Sequence, residues 1–337
     1  MKRIPSLDGL RAISIAFVVL GHWGLNHYGS QIAPSYANLG VRIFFIISGY
    51  LITTLLLKER TKTGTIHLKD FYVRRAYRIL PAATAFIVPI IILRWHELSW
   101  YHIAAAVLYL PDLHRPQFVG HLWSLSVEEQ FYLLWPGVLK KWYAYRTRIL
   151  LGVVAVAPLC RLVFYALHVN QGEFTFPAVA DNLAMGCLLA IFAPRIKRIS
   201  GGLALAMATV VMLIPLYPAT SRGRTLVLLF ALWPLLHVAI AGVVLHVVQT
   251  PYRVLNWGPV MWLGKISYSL YLWQQVFVFD KGREPPIFLA YAVSIACASY
   301  YLIEQPMLRL RERGAAKRHS MQMAAPAEDH RTAAKIA

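Results

Sequence analysis

Apolar segments of membrane-spanning length recur along the chain, at 7–24, 39–57, 79–95, 122–139, 149–167, 178–193, 201–219, 226–248, 259–279 and 287–304. A helix rises about 1.5 Å per residue, so about 20 residues cross a hydrocarbon core about 30 Å thick. The pattern predicts an all-α, polytopic integral membrane bundle of about ten transmembrane helices. The run 101–111 is apolar but too short to cross, and it predicts a re-entrant or buried helix outside that count. Pro81, Pro89, Pro136, Pro158, Pro215 and Pro234 lie in or at these segments and predict kinks, because neighbouring helices can re-satisfy the freed backbone groups.

Composition agrees: 58% of residues are hydrophobic and 15% charged, against about a quarter charged in soluble domains. A net charge of +19 raises the question of nucleic acid. The basic residues fall between apolar segments, however, and no nucleic-acid-binding motif is present, so the partner predicted is the bilayer and not nucleic acid. With the N-terminus in the cytosol, 24 of the 34 Lys and Arg residues fall on inner segments and 6 on outer ones (Arg94, Arg115, Arg222, Arg224, Lys281 and Arg283). That bias is what the positive-inside rule requires, and it places both termini in the cytosol. Trp23, Trp95, Trp100, Trp142 and Trp257 fall near segment ends, where an aromatic belt belongs. Lys2 and Arg3 resemble the start of a signal peptide, but Arg11 interrupts the apolar region and no small-residue cleavage site follows, which predicts an uncleaved first helix. Cys160, Cys187 and Cys297 are isolated within apolar runs and read as small core residues, with no metal-ligand spacing. The expected organisation is a membrane domain over 1–310 and a basic, disordered cytosolic tail over 311–337, too short for a second folded domain.

Ionisable residues inside apolar segments mark candidate chemistry, since each costs kilocalories in hydrocarbon. Arg11 and His22 lie on the first segment, eleven residues apart, which puts them on one helix face about 16 Å apart along the axis. His22 falls near the outer end and is a neutral-pH base with an intrinsic pKa near 6.5. Arg11 falls toward the cytosol, where Asp8 at i−3 could pair with it. The inner loop 58–78 ends in Arg74-Arg75-Ala76-Tyr77-Arg78. Arg75 and Arg78 share a helix face, and guanidinium forks bind phosphates, so a site for the phosphates of a nucleotide-like donor fits; plain positive-inside charge fits as well. At 121–136, two adjacent glutamates, Glu128 and Glu129, enter an apolar helix. Buried carboxylates need partners, and Arg42 or Arg161 could supply them. A structural ion pair and a role in orienting His22 both fit. Near the C-terminus, Gly264 to Gln275 is rich in small and hydroxyl residues suited to close helix packing.

Together these residues resemble the acyltransferase 3 family of membrane acyltransferases. The family's opening pattern stands at Leu7 to Arg11 and His22, its Phe-Phe-x-Ile-Ser-Gly-Tyr-Leu segment at Phe44 to Leu51, and its Arg-x-x-Arg-Ile-x-Pro at Arg75 to Pro81. Trp-Ser-Leu-Ser-Val-Glu-Glu-Gln-Phe-Tyr stands at Trp123 to Tyr132, and the closing Ile-Glu-x-Pro at Ile303 to Pro306. The resemblance implies ten spans in a bacterial inner membrane and transfer of an acyl group, usually acetyl, from cytosolic acyl-CoA to a hydroxyl. The implied acceptor is a carbohydrate or glycolipid. The residue at His22 is implied to be essential, and those at Arg11, Arg75 and Arg78 to serve donor binding or transfer. Two departures stand out. Family members often carry histidine after the Tyr-Leu-Trp of 271–273, where this chain has Gln274; an amide cannot act as a base near neutral pH. Residues 149–250 match only loosely. Other members carry a fused extracytoplasmic domain, and the short tail predicts a stand-alone membrane domain.

The expected mechanism places acyl-CoA phosphates on Arg74, Arg75 and Arg78, with Arg11 along the path of the pantetheine arm. His22 acts as general base on the acceptor hydroxyl, with Glu128 or Glu129 orienting it, and no metal takes part. An acyl group parked on His22 or a serine is equally compatible. A transporter or flippase for a lipid-linked sugar, or a non-catalytic partner in polysaccharide assembly, would also use intramembrane charge.

Overall fold

A computed structural model describes residues 4–28, 33–108, 110, 119–169, 172–218, 221–278 and 287–324, and every regular element among them is helical. The first five α-helices are α1 (Pro5–Tyr28), α2 (Ala33–Thr63), α3 (Leu68–Leu93), α4 (Trp100–Val107) and α5 (Trp123–Lys141). Next come α6 (Arg146–Ala166), α7 (Phe176–Phe192), α8 (Gly201–Leu213) and α9 (Arg222–Val227). A π-helical turn, Leu228–Leu232, joins α9 to α10 (Trp233–Gln249). The chain continues through α11 (Gly258–Val278) and α12 (Ile287–Ser299), then a second π turn, Tyr300–Glu304, and α13 (Gln305–Ala324).

Among the described residues each of the ten predicted segments is helical, but the one at 201–219 gives only the shorter apolar stretch Gly201–Leu216. Six helical stretches are long and apolar enough to cross a membrane by length and composition: Pro34–Thr63, Leu68–Leu93, Tyr143–Ala166, Gly172–Arg195, Arg222–Gln249 and Ile287–Gly314. Helices α1, α5 and α11 have 24, 19 and 21 residues, enough length to cross at about 1.5 Å per residue. Their hydropathy is lowered by the polar side chains they carry inward. The apolar run at 101–111 forms α4, whose eight residues are too few to span. Outward-facing Ile92, Leu205 and Leu302 are 70–74% exposed in the isolated chain; such a surface suits hydrocarbon rather than water. Trp95, Trp100, Trp142 and Trp257 are also exposed, as belt residues should be.

The structure moves two expected boundaries. The inner loop predicted over 58–78 shrinks to residues 64–67, because α2 runs to Thr63 and α3 starts at Leu68. Gly64 makes the turn with φ +77°, and its N–H donates to the Arg60 carbonyl at 2.8 Å. Hydropathy marks where a helix meets hydrocarbon, not where it stops, so the arginines at 74, 75 and 78 lie within α3. At the other end, α13 carries the chain past residue 310, where the tail was expected to lose structure, as far as Ala324. Arg, Ala, Lys and Met lower hydropathy or leave it neutral, but they are good helix formers. Residues 325–337 lie outside the described residues, as do Lys2, Arg3, Arg115, Lys281 and Arg283 of the charge count.

Helix α1 is central: it packs on α2 and on α11, while α2 packs on α7 and α7 on α6. The α2–α7 crossing is a reciprocal glycine contact. A Cβ on Gly49 would strike the Leu183 carbonyl oxygen, and one on Gly186 would strike the Ile46 carbonyl oxygen. Backbones that approach this closely gain dispersion contacts without any hydrophobic term, the usual means of joining helices in lipid. Gly186→Leu should therefore destabilise the detergent-solubilised protein by about 1–3 kcal/mol or more. Gly202→Leu, where an added Cβ meets nothing within 4 Å, should leave it nearly unchanged. Thermal unfolding of the two variants checks this, and equal midpoints would refute it.

Candidate active site

Helices α1 and α11 run parallel, because Gly264 lies against the Asp8 backbone and, further along both helices, Gln274 meets His22. Positions 264, 267, 271 and 274 recur every three or four residues and so share one face of α11. The absence of a Cβ at Gly264 lets the two helices close up at that end. At the other end His22 Nδ1 lies 3.0 Å from Gln274 Oε1. An amide oxygen only accepts, so Nδ1 donates and Nε2 keeps the lone pair that a base requires. Gln274 is fully buried, and its Nε2 has no hydrogen-bond partner among the described residues.

A second buried histidine braces this region. His121 Nε2 donates to the Leu272 carbonyl at 3.0 Å, and the Tyr271 hydroxyl donates to the His121 carbonyl. Ser124 Oγ meets the Tyr271 hydroxyl at 2.5 Å. Phe86 stacks edge-on against both His121 and Trp273. These contacts tie α3, α5 and α11 together one turn from Gln274, which fixes the amide that holds His22.

Arg11, Arg75, Arg78, Glu128, Glu129 and Glu304 gather toward the N-terminal ends of α1 and α3. Arg11 lies within electrostatic reach of Arg78, Glu128, Asp8 and Tyr132. Glu304 lies within reach of Arg78 and Arg11, and Ser269 Oγ donates to its Oε2 at 3.1 Å. Glu128 accepts from the hydroxyls of Ser48 and Tyr132. The Arg75 guanidinium sits over the Tyr132 ring at 3.8 Å, a cation–π contact of about 0.5–2 kcal/mol. Tyr132 thus links Arg75 to Glu128. Glu129 lies within reach of Arg75 and Glu128, and its Oε1 is buried without a hydrogen-bond partner among the described residues.

The predicted site residues therefore divide. Arg11, Arg75, Arg78, Glu128 and Glu129 come together. Arg74 does not: it is exposed and faces Glu59 of α2 at 3.5 Å. Glu128 accepts from Ser48 and Tyr132, and Gln274 accepts from His22. The expectation that Arg42 or Arg161 partners the glutamates is also corrected. Arg161 NH2 pairs with Asp181 Oδ2 at 2.8 Å, and Arg42 NH1 donates to His237 Nε2 at 2.9 Å. These two arginines belong to a different set on α2, α6, α7 and α10. The site also includes Ser48, Tyr132 and Glu304, which fall inside the family segments, and the second set includes Asp181 and His237, which fall outside them. Each is a polar or ionisable residue inside an apolar segment, and for Asp181 and His237 that alone was the available signal.

The sequence pattern of an acyltransferase domain family matches residues 4–304. The peptidoglycan O-acetyltransferase OatA of Listeria monocytogenes is 29% identical over 324 residues, covering 81% of this chain and 49% of OatA. YrhL of Bacillus subtilis is 28% identical over 360 residues, covering 91% of this chain and 55% of that protein. The chain spans about half the length of these curated relatives. No solved structure matches it. The match runs through the first helix, the arginine pair, the glutamate pair and Glu304, and the chain belongs to the acyltransferase 3 family.

Proposed function

We propose that this chain is a membrane O-acyltransferase that moves an acyl group, most simply acetyl, from cytosolic acyl-CoA to a hydroxyl of a sugar-containing acceptor at the outer face of a bacterial inner membrane. The observation that carries this reading is the His22–Gln274 contact, in which Nδ1 donates to the amide oxygen at 3.0 Å and so sets the tautomer whose Nε2 carries the lone pair of a base. A relative named for peptidoglycan O-acetylation supports a carbohydrate acceptor.

In this reading the donor enters from the side of the basic helix ends. Half-buried Arg75 and Arg78 take its phosphates, since guanidinium groups stay charged and bind phosphate bidentately. Arg74 is left out because Glu59 engages it. Glu128, Glu129 and Glu304 keep the arginines from being stranded in hydrocarbon before the donor arrives. The pantetheine arm passes Arg11 and brings the thioester to His22, about 16 Å along the helix axis from Arg11. His22 Nε2 takes the acceptor's hydroxyl proton as its oxygen attacks the thioester carbonyl. The C–S bond then breaks, and the leaving thiolate takes the proton from the imidazolium. Gln274 holds the tautomer through Oε1, and its buried Nε2–H is a donor of the kind a developing oxyanion needs. Glutamine can thus position His22 at the place where histidine is common, without itself being a base.

His22→Ala should lower acetyl transfer at least about 100-fold, the usual scale for a general base, while the protein stays folded. Labelled acetyl-CoA with a panel of glycan acceptors measures this, and near wild-type turnover would refute it. Gln274→Leu should reduce kcat about tenfold, as loss of one buried hydrogen bond implies, and Gln274→His should restore much of it. Arg75→Gln with Arg78→Gln should weaken acyl-CoA binding by tenfold or more, whereas Arg74→Gln should not. Unchanged donor affinity in the double variant would remove the phosphate role. Movement of a lipid-linked sugar without modification would select the transporter instead.

A further inference from the structure

A second polar set lies apart from the His22 site. It opens into a cavity of about 370 Å³ lined by Arg161, Tyr165, His168, Glu173, Thr225 and Trp233, among others. Arg161 lies 13 residues beyond Arg148 on α6, so the cavity is about 20 Å further along that helix than the basic cluster at 140–148. By the positive-inside rule it faces outward.

Its buried groups are unbalanced in charge, and the other carboxylate of the lining, Glu173, stands exposed at the rim. Arg161 is 2% exposed; it donates to the Ala178 carbonyl at 2.6 Å and pairs with Asp181 at 2.8 Å. Arg42 donates to His237 Nε2 at 2.9 Å, which makes that ring nitrogen an acceptor and leaves its other nitrogen to face Asp181 at 3.6 Å. The histidine is then neutral. Two guanidinium groups share one carboxylate, and both lie against the Trp233 ring, at 4.2 and 4.8 Å. Asn182 also donates to Asp181, using up acceptor capacity that the arginines might have taken. Arg161 Nε is buried without a hydrogen-bond partner among the described residues. A cation in excess at membrane depth calls for an anion.

The cavity wall is also shaped in two irregular ways. Leu228 and Leu229 belong to the π turn, and His168 holds φ +52°. The π turn is a conformation frequent at functional sites, whereas His168 closes α6 as a left-handed C-cap, with the Val169 N–H donating to the Phe164 carbonyl at 2.9 Å. Exposed Glu173 at the rim, with Thr225 and His168, supplies groups that accept or donate to hydroxyls. Tyr165 offers an aromatic surface beside them.

We propose that this cavity binds an acidic carbohydrate, with its carboxylate or phosphate on Arg161 and its hydroxyls at the rim, as the outward recognition subsite for the acceptor. This rests on the acyl-transfer reading above. The test uses the purified full chain in phosphatidylcholine nanodiscs, with a glucuronic-acid oligosaccharide and a neutral glucose oligosaccharide of equal length as probes. The acidic probe should bind at least tenfold more tightly. Arg161→Gln should abolish that preference and leave acyl-CoA affinity unchanged. Because Arg161→Gln strands Asp181 and can unfold the protein, Thr225→Trp provides a second variant, filling the cavity with the Arg161–Asp181 pair intact; it too should remove binding of the acidic probe. His22→Ala should bind it normally, so loss of transfer and loss of this site are separable. Equal binding of the two probes, or wild-type binding by Thr225→Trp, would overturn the proposal. So would loss of the acidic preference in phosphatidylglycerol nanodiscs, because the site would then belong to a lipid headgroup.

Discussion

Every charge in this bundle has to be answered inside it. The helices present apolar surface outward, so Arg11, Arg75 and Arg78 have no water to turn to except through whatever opening serves the site. Glu128, Glu129 and Glu304 stand within electrostatic reach of them. Neither sign would be tolerable alone, since an unpaired ion in a low-dielectric interior costs several kcal/mol. The helix arrangement follows from this. Residues from α1, α3, α5 and the π turn after α12 must converge, and close contacts such as that of Gly264 with the Asp8 backbone let the backbones come near enough. Ser48, Ser269 and Tyr132 take up carboxylate lone pairs that the arginines do not satisfy.

His22 meets the neutral amide of Gln274. The amide oxygen accepts from Nδ1 and so fixes the tautomer, with the lone pair on Nε2. The parallel packing of α1 and α11 makes the arrangement reproducible, because the same pair of helices sets the contact at both ends.

Much of the fold was legible because membrane helices announce themselves one at a time: each apolar segment is a local property of the chain, and all ten are helical among the described residues. Partnerships were not legible, because they depend on which helices meet. Arg42 and Arg161 were the natural candidates to answer Glu128 and Glu129, as intramembrane cations of the right sign. The packing of α2, α6, α7 and α10 gives them Asp181 and His237 instead. Gln274 stood out in the sequence only as a departure from the family pattern, and its geometry makes it the residue that holds His22. Arg74 differs from Arg75 by one position, yet a single step of about 100° on the helix turns it toward Glu59 and the exterior. Sequence spacing located the arginine pair but could not say which neighbour each side chain would find.

The two charged sets differ in a way that bears on what each can do without a ligand. Around Arg11 the three arginines face three glutamates and Asp8, so the guanidinium groups have carboxylates within reach and the set can stand empty. In the proposed reaction a donor's phosphates would compete with carboxylates already present, which favours release of the spent donor as much as capture of the fresh one. Around Arg161 two guanidinium groups share one carboxylate, with a neutral histidine between them. That set is incomplete as it stands, and an anionic ligand would relieve it. In the proposed reaction, with a cytosolic donor and an outward acceptor, such an asymmetry has a use: a compensated site would let the donor exchange often, and an uncompensated one would hold an acidic group on the acceptor.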